Sequence, residues 1–328
     1  MGDRKARRQA ITALNTAALA VTFSVLGISL GGLFEHLPWW LIWYSNPRPH
    51  LAAISLFTGG WFVWRQHKFL SVLSLLALLL NLALLLPLFV PPAPAVTSGL
   101  TLTVAHLNIH YGRAAIAHLD SLNADILLLQ EVTPSLSPAL PKIFTAYEVV
   151  HSHPLTNTHG SALLKRKASS VNIASTEIIH LPATSDRPLI SAQVEVGQHS
   201  VQLLSLHLIR PRSPQTDRYQ KAELAAVAKW SQKVQQAETT EVLVMGDFNA
   251  TPWANRFLHL LSAGNLKNSL RGYGLQNTWP TNLPLILGVP IDHAVHSKGL
   301  VTTARSVSPV AGTDHALLQL ELAFASAS

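Results

Sequence analysis

Residues 241–249 read EVLVMGDFN, an apolar run that breaks at a glycine and delivers Asp247 and Asn249. The pattern recurs along the chain. TLTVAHL (101–107) runs into Asn108, DILLLQ (125–130) into Glu131, and SVQLLSL (200–206) into His207. A further strand carries Ile291-Asp292-His293, and the last opens with Gly312-Thr313-Asp314-His315. Ligands of α/β folds gather at strand ends, so six such endings predict one shared polar rim.

Outward from these endings, strands are expected at 101–107, 125–130, 160–165, 173–179, 189–196, 200–206, 241–246, 289–296 and 314–322. Helices are expected near 114–122, 214–236 and 253–263, the second opening at Ser213-Pro214, a cap followed by a favourable first-turn proline. Several strands are continuously apolar, which implies sheets covered on both faces. Residues 101–328 therefore read as one α/β layered domain with mixed sheets.

The set LNIH, LQEV, SLHL, GDFN (246–249), IDH (291–293) and TDHA (313–316) resembles, in order and spacing, the endonuclease/exonuclease/phosphatase superfamily. The resemblance spans essentially all of 101–328 and implies the deoxyribonuclease-I-like four-layered α/β sandwich. Members include secreted nucleases, abasic-site endonucleases, sphingomyelinases and inositol-polyphosphate phosphatases. It implies a divalent-metal-dependent phosphoric ester hydrolase, using Mg²⁺ or Mn²⁺. One departure is His110, where some abasic-site endonucleases carry a metal-contacting acid.

The chemistry assigns roles. Glu131, at the end of an apolar strand where an unpaired charge is costly, is the natural Mg²⁺ ligand, with Asn108 and Asp314 as further ligands. His315 is the acid/base candidate, oriented by Asp292, a pairing the resemblance supports. Asp247 would align or deprotonate water or protonate the leaving group, while Asn249 and His207 would hydrogen-bond the phosphoryl oxygens. Arg210 and Arg212 could clamp an anionic substrate, and Trp279 either stacks on it or packs against the sheet. Taken singly, each has a plain alternative: Glu131 a salt bridge, Asn108 a turn residue, Asp247–Asn249 an Asx turn, His207 a core histidine. His151, His153 and His159 read as flanks of a mobile proline-containing loop, in a spacing that fits no closed zinc site.

Upstream lies a different kind of sequence. Ile11–Phe34 (24 residues) and Phe69–Val90 (22 residues) lack any Asp, Glu, Lys or Arg, and each is long enough for a hydrocarbon core about 30 Å thick. Pro49–Trp64 is charge-free but only 16 residues long, with five of the eight tryptophans clustered around its ends. The expectation is a three-span anchor (1–91; spans 11–34, 49–64 and 69–90), a proline-rich stalk (92–100) and the catalytic domain (101–328). Lys/Arg are concentrated in the N-terminal tail and the Arg65–Lys68 turn, with only Arg48 in the Glu35–His50 connection. This places tail and turn inside and the catalytic domain outside a bacterial cytoplasmic membrane.

Whole-chain composition agrees: 48% of the 328 residues are hydrophobic and 12% charged, against about 25% charged in typical globular domains. The absence of cysteine excludes disulfides and thiolate metal sites. Of the net charge of +7, residues 1–91 carry +5, so net charge gives no evidence for a basic duplex-binding face on the catalytic domain. The expected partners are a phosphate-ester substrate, nucleic acid or phospholipid headgroup, and the lipid bilayer. The competing reading is a catalytically inactive sensor or scaffold of the same fold. A transporter is disfavoured because the spans carry no intramembrane charge.

Overall fold

The computed structural model describes residues 2–34, 39–40, 46–236 and 240–326. Most of the Glu35–His50 connection, including Trp43, lies outside them. The chain divides into two compact units: Met1–Phe89 with Trp253–Asn255, and Val90–Pro252 with Arg256–Ser328.

The second unit contains two six-stranded mixed sheets. The first has the order β11-β12-β1-β2-β4-β3, with β1 Thr97–Asn108, β2 Ile126–Gln130, β3 Tyr147–His153, β4 Ser161–Arg166, β11 Leu300–Pro309 and β12 Ala316–Ala325. The second runs β5-β6-β7-β8-β10-β9, with β5 Asn172–His180, β6 Pro188–Val196, β7 His199–His207, β8 Thr240–Asp247, β9 Lys267–Asn268 and β10 Asp292–His296. Each sheet has one parallel pair at its middle, β1/β2 and β7/β8. The apolar runs that predicted two-sided burial are explained by two cores. Leu102, Val104, Leu128, Leu203, Leu243 and Leu320 meet between the sheets. Ala105, Leu107, Leu127 and Leu129, on the opposite face of the first sheet, pack with Leu119, Phe144 and Tyr147.

Helices α5 (Pro214–Gln235) and α6 (Asn255–Ala263) belong to the second sheet's side, α5 lying against β8. At the start of α5, Ser213 accepts a hydrogen bond from the Thr216 amide, the Thr216 hydroxyl bonds back to the Ser213 amide, and Pro214 follows. This capping satisfies N–H groups the first turn leaves unpaired.

Several expectations are corrected. Strand β1 begins at Thr97, so the end of the expected stalk is already sheet. β3, β9 and β11 were not expected, and His151 and His153, which flank the proline-containing loop, lie on β3. Expected helix 114–122 is a 3₁₀ turn over Ile116–Ser121, and helix α4 is one turn, Leu140–Ile143.

The first unit holds α1 (Gly2–Gly31), α2 (Arg48–Trp64) and α3 (Lys68–Leu85). Among the described residues, two stretches are long and apolar enough to cross a membrane, Arg4–Gly31 and Lys68–Leu88. α2 has 17 residues and is not one of them. Polar side chains at seven-residue spacing link the helices, and Thr22, Ser29, Ser74 and Asn81 among them are buried. Asn15 accepts from Trp61 Nε1 (3.0 Å) and meets His67 (3.5 Å). Ser74 Oγ lies 3.3 Å from both Thr22 and Thr58. Asn81 donates to Ser29 Oγ (2.8 Å) and accepts from Arg48 Nη1 (3.1 Å). The Ser74 and Asn81 groups join all three helices, and the Asn15 group joins α1 and α2 to the turn before α3. Arg48, one residue before the expected 49–64 span, is fully buried.

Candidate active site

The parallel pairs bring the endings together. Asn108 is in register with Gln130 across β1/β2, and His207 with Asp247 across β7/β8. β10 runs antiparallel to β8 with Asp292 opposite Asp247, and β12 starts just after His315. The C-terminal ends of four strands and the N-terminal ends of two thus share one rim. Gln130 ties the sheets there: its amide donates to the Leu206 carbonyl, and its Oε1 accepts from Asp247 N at 3.2 Å. Gly246, with φ 153°, leaves no room for a Cβ between the Leu206 carbonyl and the Gln130 amide.

Glu131, Asn249 and His110 adopt left-handed backbone conformations, with φ of 64°, 48° and 47°. For non-glycine residues such conformations carry a strain cost of about 1–3 kcal/mol each and persist where the surroundings over-determine them. They turn the chain sharply at the rim. Glu131 Oε2 accepts from Tyr111 N (3.0 Å) and Oε1 from Asn108 Nδ2 (3.1 Å), an amide that also lies 3.5 Å from Asp247 Oδ2. Asn108 Oδ1 accepts from His110 N (3.0 Å). The carboxamide therefore bridges two carboxylates as a donor.

Asp292 is fully buried. His315 Nδ1 donates to it at 3.0 Å, and Thr278 Oγ1 accepts the Ile291 and Asp292 amides at 3.0 Å each. His315 Nε2 points the other way, 3.8 Å from Asp247 Oδ2. His207 Nε2 approaches the same oxygen at 3.6 Å, while its buried Nδ1 has no partner. Asn249 N donates to Asp247 Oδ1 (2.8 Å), and its side chain donates to the Leu208 carbonyl (2.9 Å). Asp314 accepts from His110 Nδ1 (2.6 Å) and Trp279 Nε1 (2.8 Å). The Arg210 guanidinium lies over the Trp279 ring, 4.5 Å from its centroid. The departure at His110 thus has a partner, Asp314.

Nine of the eleven expected site residues line one cavity of about 350 Å³. The other two, Asn108 and Asp292, stand behind it, holding Glu131 and His315. A larger groove of about 1200 Å³ follows α1, lined by Arg4, Lys5 and Arg8 and by Thr and Ala side chains. Among the described residues its lining has no carboxylate or imidazole, so chemistry rather than size selects the rim.

Electrostatics divides the acids. Burial, reinforced by Asp292, raises Asp247 to about 7. Burial acts the same way on Asp292, but the charge of His315 and hydrogen bonds from His106 and His315 hold it well below the usual carboxylate range. Burial disfavours the His315 cation; Asp292, then Asp247 and Asp314, outweigh it and lift His315 to about 10. Burial drives His207 well below its ordinary value, helped by His159 and His315. His159 packs against His207 with ring centroids 5.3 Å apart and is itself lowered by burial to about 4. Burial opposes the Asp314 charge, but hydrogen bonds from His110 and Trp279 keep Asp314 below its ordinary value. One acid is thus held charged behind an imidazolium while its neighbour is poised near neutrality.

Asp247, Asp292 and His315 bring ligand atoms within 4.8 Å of one another. Asp292 is already engaged by two imidazoles, which leaves it a poor ligand. The donors with unshared lone pairs facing the cavity are carboxylate oxygens of Glu131, Asp247 and Asp314, and hard oxygen donors suit Mg²⁺ or Mn²⁺. Sequence reasoning missed His106, Gln130 and Thr278, and it considered His159 only as part of a loop. His106 and Gln130 were legible in part, as polar residues inside runs otherwise apolar.

The two sheets and their flanking helices form a deoxyribonuclease-I-like α/β sandwich. Residues 105–315 match the model of the Endonuclease/Exonuclease/phosphatase family, and the chain belongs to that family: it is a phosphoric ester hydrolase. Enzymes of this family usually use divalent metals. Similar folds occur in D. rerio TDP2 complexed with a single-strand DNA product (18% identity, TM-score 0.54, 68% of this chain and 98% of that one). Truncated Caenorhabditis elegans TDP2 is similar too (20%, 0.54, 69% and 98%), as is a Bacteroides thetaiotaomicron mannosyl-6-phosphatase (17%, 0.52, 68% and 100%). At these identities the likeness concerns the fold. Among curated proteins no match to the sequence is found.

Proposed function

We propose that the chain is a membrane-anchored, divalent-metal-dependent phosphodiesterase acting on phospholipid headgroups or nucleic acid. The observation that carries this is the Asp292–His315–Asp247 arrangement at the wall of the 350 Å³ cavity. Glu131 and Asp314 would hold Mg²⁺ or Mn²⁺, while Asn108, expected as a third ligand, instead holds the Glu131 carboxylate as a donor. When bound, the ion supplies Lewis-acid polarisation of the phosphoryl group. Asp247 aligns a water and takes its proton. His315, charged and held by Asp292, stabilises the anionic transition state and gives its Nε2 proton to the leaving oxygen, the proton held by Asp247 restoring the pair after product leaves. Asn249 and His207 donate hydrogen bonds to non-bridging oxygens. Arg210, braced on Trp279, and Arg212 bind a neighbouring anionic group of the substrate.

Residues 1–91 form the anchor, with α1, α2 and α3 all crossing the bilayer. The two buried polar groups, around Ser74 and Asn81, support this: they join α2 to both longer helices, and buried polar side chains bind helices where lipid supplies no hydrophobic drive. The basic tail stays inside, and residues 101–328 lie outside the cytoplasmic membrane of a bacterium. A reporter fused after Pro94 should be active only when it works outside the cytoplasm. Activity from a cytoplasm-only reporter contradicts this orientation.

The test of function uses the full chain in detergent with bis-p-nitrophenyl phosphate, sphingomyelin, inositol phosphates, and single- and double-stranded DNA. Hydrolysis of a diester with Mg²⁺ or Mn²⁺ that ceases in EDTA is expected. Turnover that persists in EDTA contradicts the metal dependence, and metal-dependent binding without cleavage favours an inactive sensor.

A further inference from the structure

Strand β1 alternates cleanly. Ala105 and Leu107 face the outer core, whereas Leu102 and Val104 face the core between the sheets. His106 continues the second row. Its cross-strand neighbours, Leu128 on β2 and Leu318 on β12, belong to that apolar core. The position calls for an aliphatic side chain, yet it carries a fully buried imidazole. A polar group there costs free energy unless it is hydrogen-bonded.

Its bond is to the candidate catalytic dyad. His106 Nε2 lies 3.1 Å from Asp292 Oδ1, and His106 Nδ1 has no partner. The tautomer with hydrogen on Nε2 fits this, since it gives Asp292 a donor and leaves only a lone pair unmet. Asp292, on β10 of the second sheet, is then gripped by two imidazoles of the first: His106 from β1, and His315, just before β12, whose Nδ1 lies 3.0 Å from Oδ2 and 3.2 Å from Oδ1.

We infer that His106 is a positioning residue, which fixes the Asp292 carboxylate so that Oδ2 meets His315 Nδ1 and His315 Nε2 is aimed at Asp247 and the reacting phosphoryl group. The inference rests on the hydrolase reading above, deepens it, and assigns a role to a residue outside the cavity lining. Loss of the donor lets the carboxylate turn about its Cβ–Cγ bond, so that His315 is held by one partner of variable orientation. Substrate contacts are untouched, so the effect falls on turnover rather than on binding.

The test compares the full-length chain in detergent with His106→Leu, which keeps bulk and removes the donor, and His106→Gln, whose Nε2 restores one. On bis-p-nitrophenyl phosphate with Mn²⁺, His106→Leu should lower kcat by about 10–100-fold, as losses of outer-layer hydrogen bonds do. KM should stay within about twofold, and His106→Gln should recover most of the turnover. Equal losses in both variants, a loss carried by KM, or no loss would overturn the inference. Thermal unfolding checks that both variants fold. If His106→Leu does not, His106→Asn, too short to reach Asp292, takes its place.

The downfield NMR resonance of the His315 Nδ1 proton gives a readout free of catalysis. It should match in wild type and His106→Gln and shift or broaden in His106→Leu. If the wild-type chain cleaves no diester, the hydrolase reading fails while the resonance still decides: an unchanged signal in His106→Leu overturns the positioning role.

Discussion

The helical unit and the α/β unit both bury polar side chains, but in opposite arrangements. Inside α1–α3 the buried groups are hydroxyls, a carboxamide and one arginine, and they bond to each other and to carbonyls at regular spacing. At the rim between the sheets, carboxylates and imidazoles crowd together, with strained backbone at Glu131 and Asn249. The first arrangement satisfies polar groups and holds helices in register. The second shifts acids and bases away from their ordinary values in opposite directions, which structural networks seldom need and hydrolytic sites do.

The largest expected difference is therefore between rim and bundle substitutions. His315→Ala should reduce kcat on a phosphodiester by about 10²–10⁴-fold, the range for loss of a positioned acid or base. Next comes pH. Asp247 must be ionised to accept a proton, and it titrates near 7. His315 must be charged, and it loses its proton near 10. The rate should rise through about 7, hold, and fall through about 10. Higher Mg²⁺ should move the acid limb to lower pH, because a cation near Asp247 favours its charged form. Stability follows the same groups. The raised His315 contributes fully below its ordinary value of 6.5, and its contribution is lost as pH climbs through about 10. The depressed Asp292 contributes above its ordinary value of 3.8, and that contribution is lost as the medium is acidified below it. Urea midpoints across pH check both signs.

A smaller effect is expected at the cavity mouth. Trp279→Leu removes the platform under Arg210 and a donor to Asp314. It should raise KM about 3–10-fold, in line with the ~0.5–1 kcal/mol of a cation–π contact plus a lost hydrogen bond, with a lesser change in kcat. The smallest belongs to the bundle. Asn81→Leu should cost about 0.6 kcal/mol of bundle stability, typical of interhelical hydrogen bonds in membranes, and leave turnover unchanged. A loss of turnover there would erase the contrast between the units.

The sequence made the strand endings legible because each is a sharp change from apolar run to polar residue, and those strands form with ends shifted by a few residues. The outer strands were not legible. β3 and β11 are half-exposed and interrupted by Ser, Thr and His, so their alternation is weak, and β9 is only two residues long. The rim's supports were hidden for another reason. His106 and Gln130 act across the gap between sheets, and Thr278 caps β10 from a loop 14 residues upstream of Asp292. Only the three-dimensional register pairs them. In the bundle, hydropathy marked the apolar helices, but the seven-residue polar spacing of Asn15, Thr22 and Ser29 has meaning only beside His67, Ser74 and Asn81.

The most direct test sets both units side by side in one assay: metal-dependent diester hydrolysis by full-length wild type, Glu131→Ala, His315→Ala and Arg48→Met, all checked for folding. The account predicts that the two rim variants lose turnover and that Arg48→Met keeps it. Rim variants that still turn over at the wild-type rate, or a folded Arg48→Met that does not, would place the chemistry elsewhere in the chain.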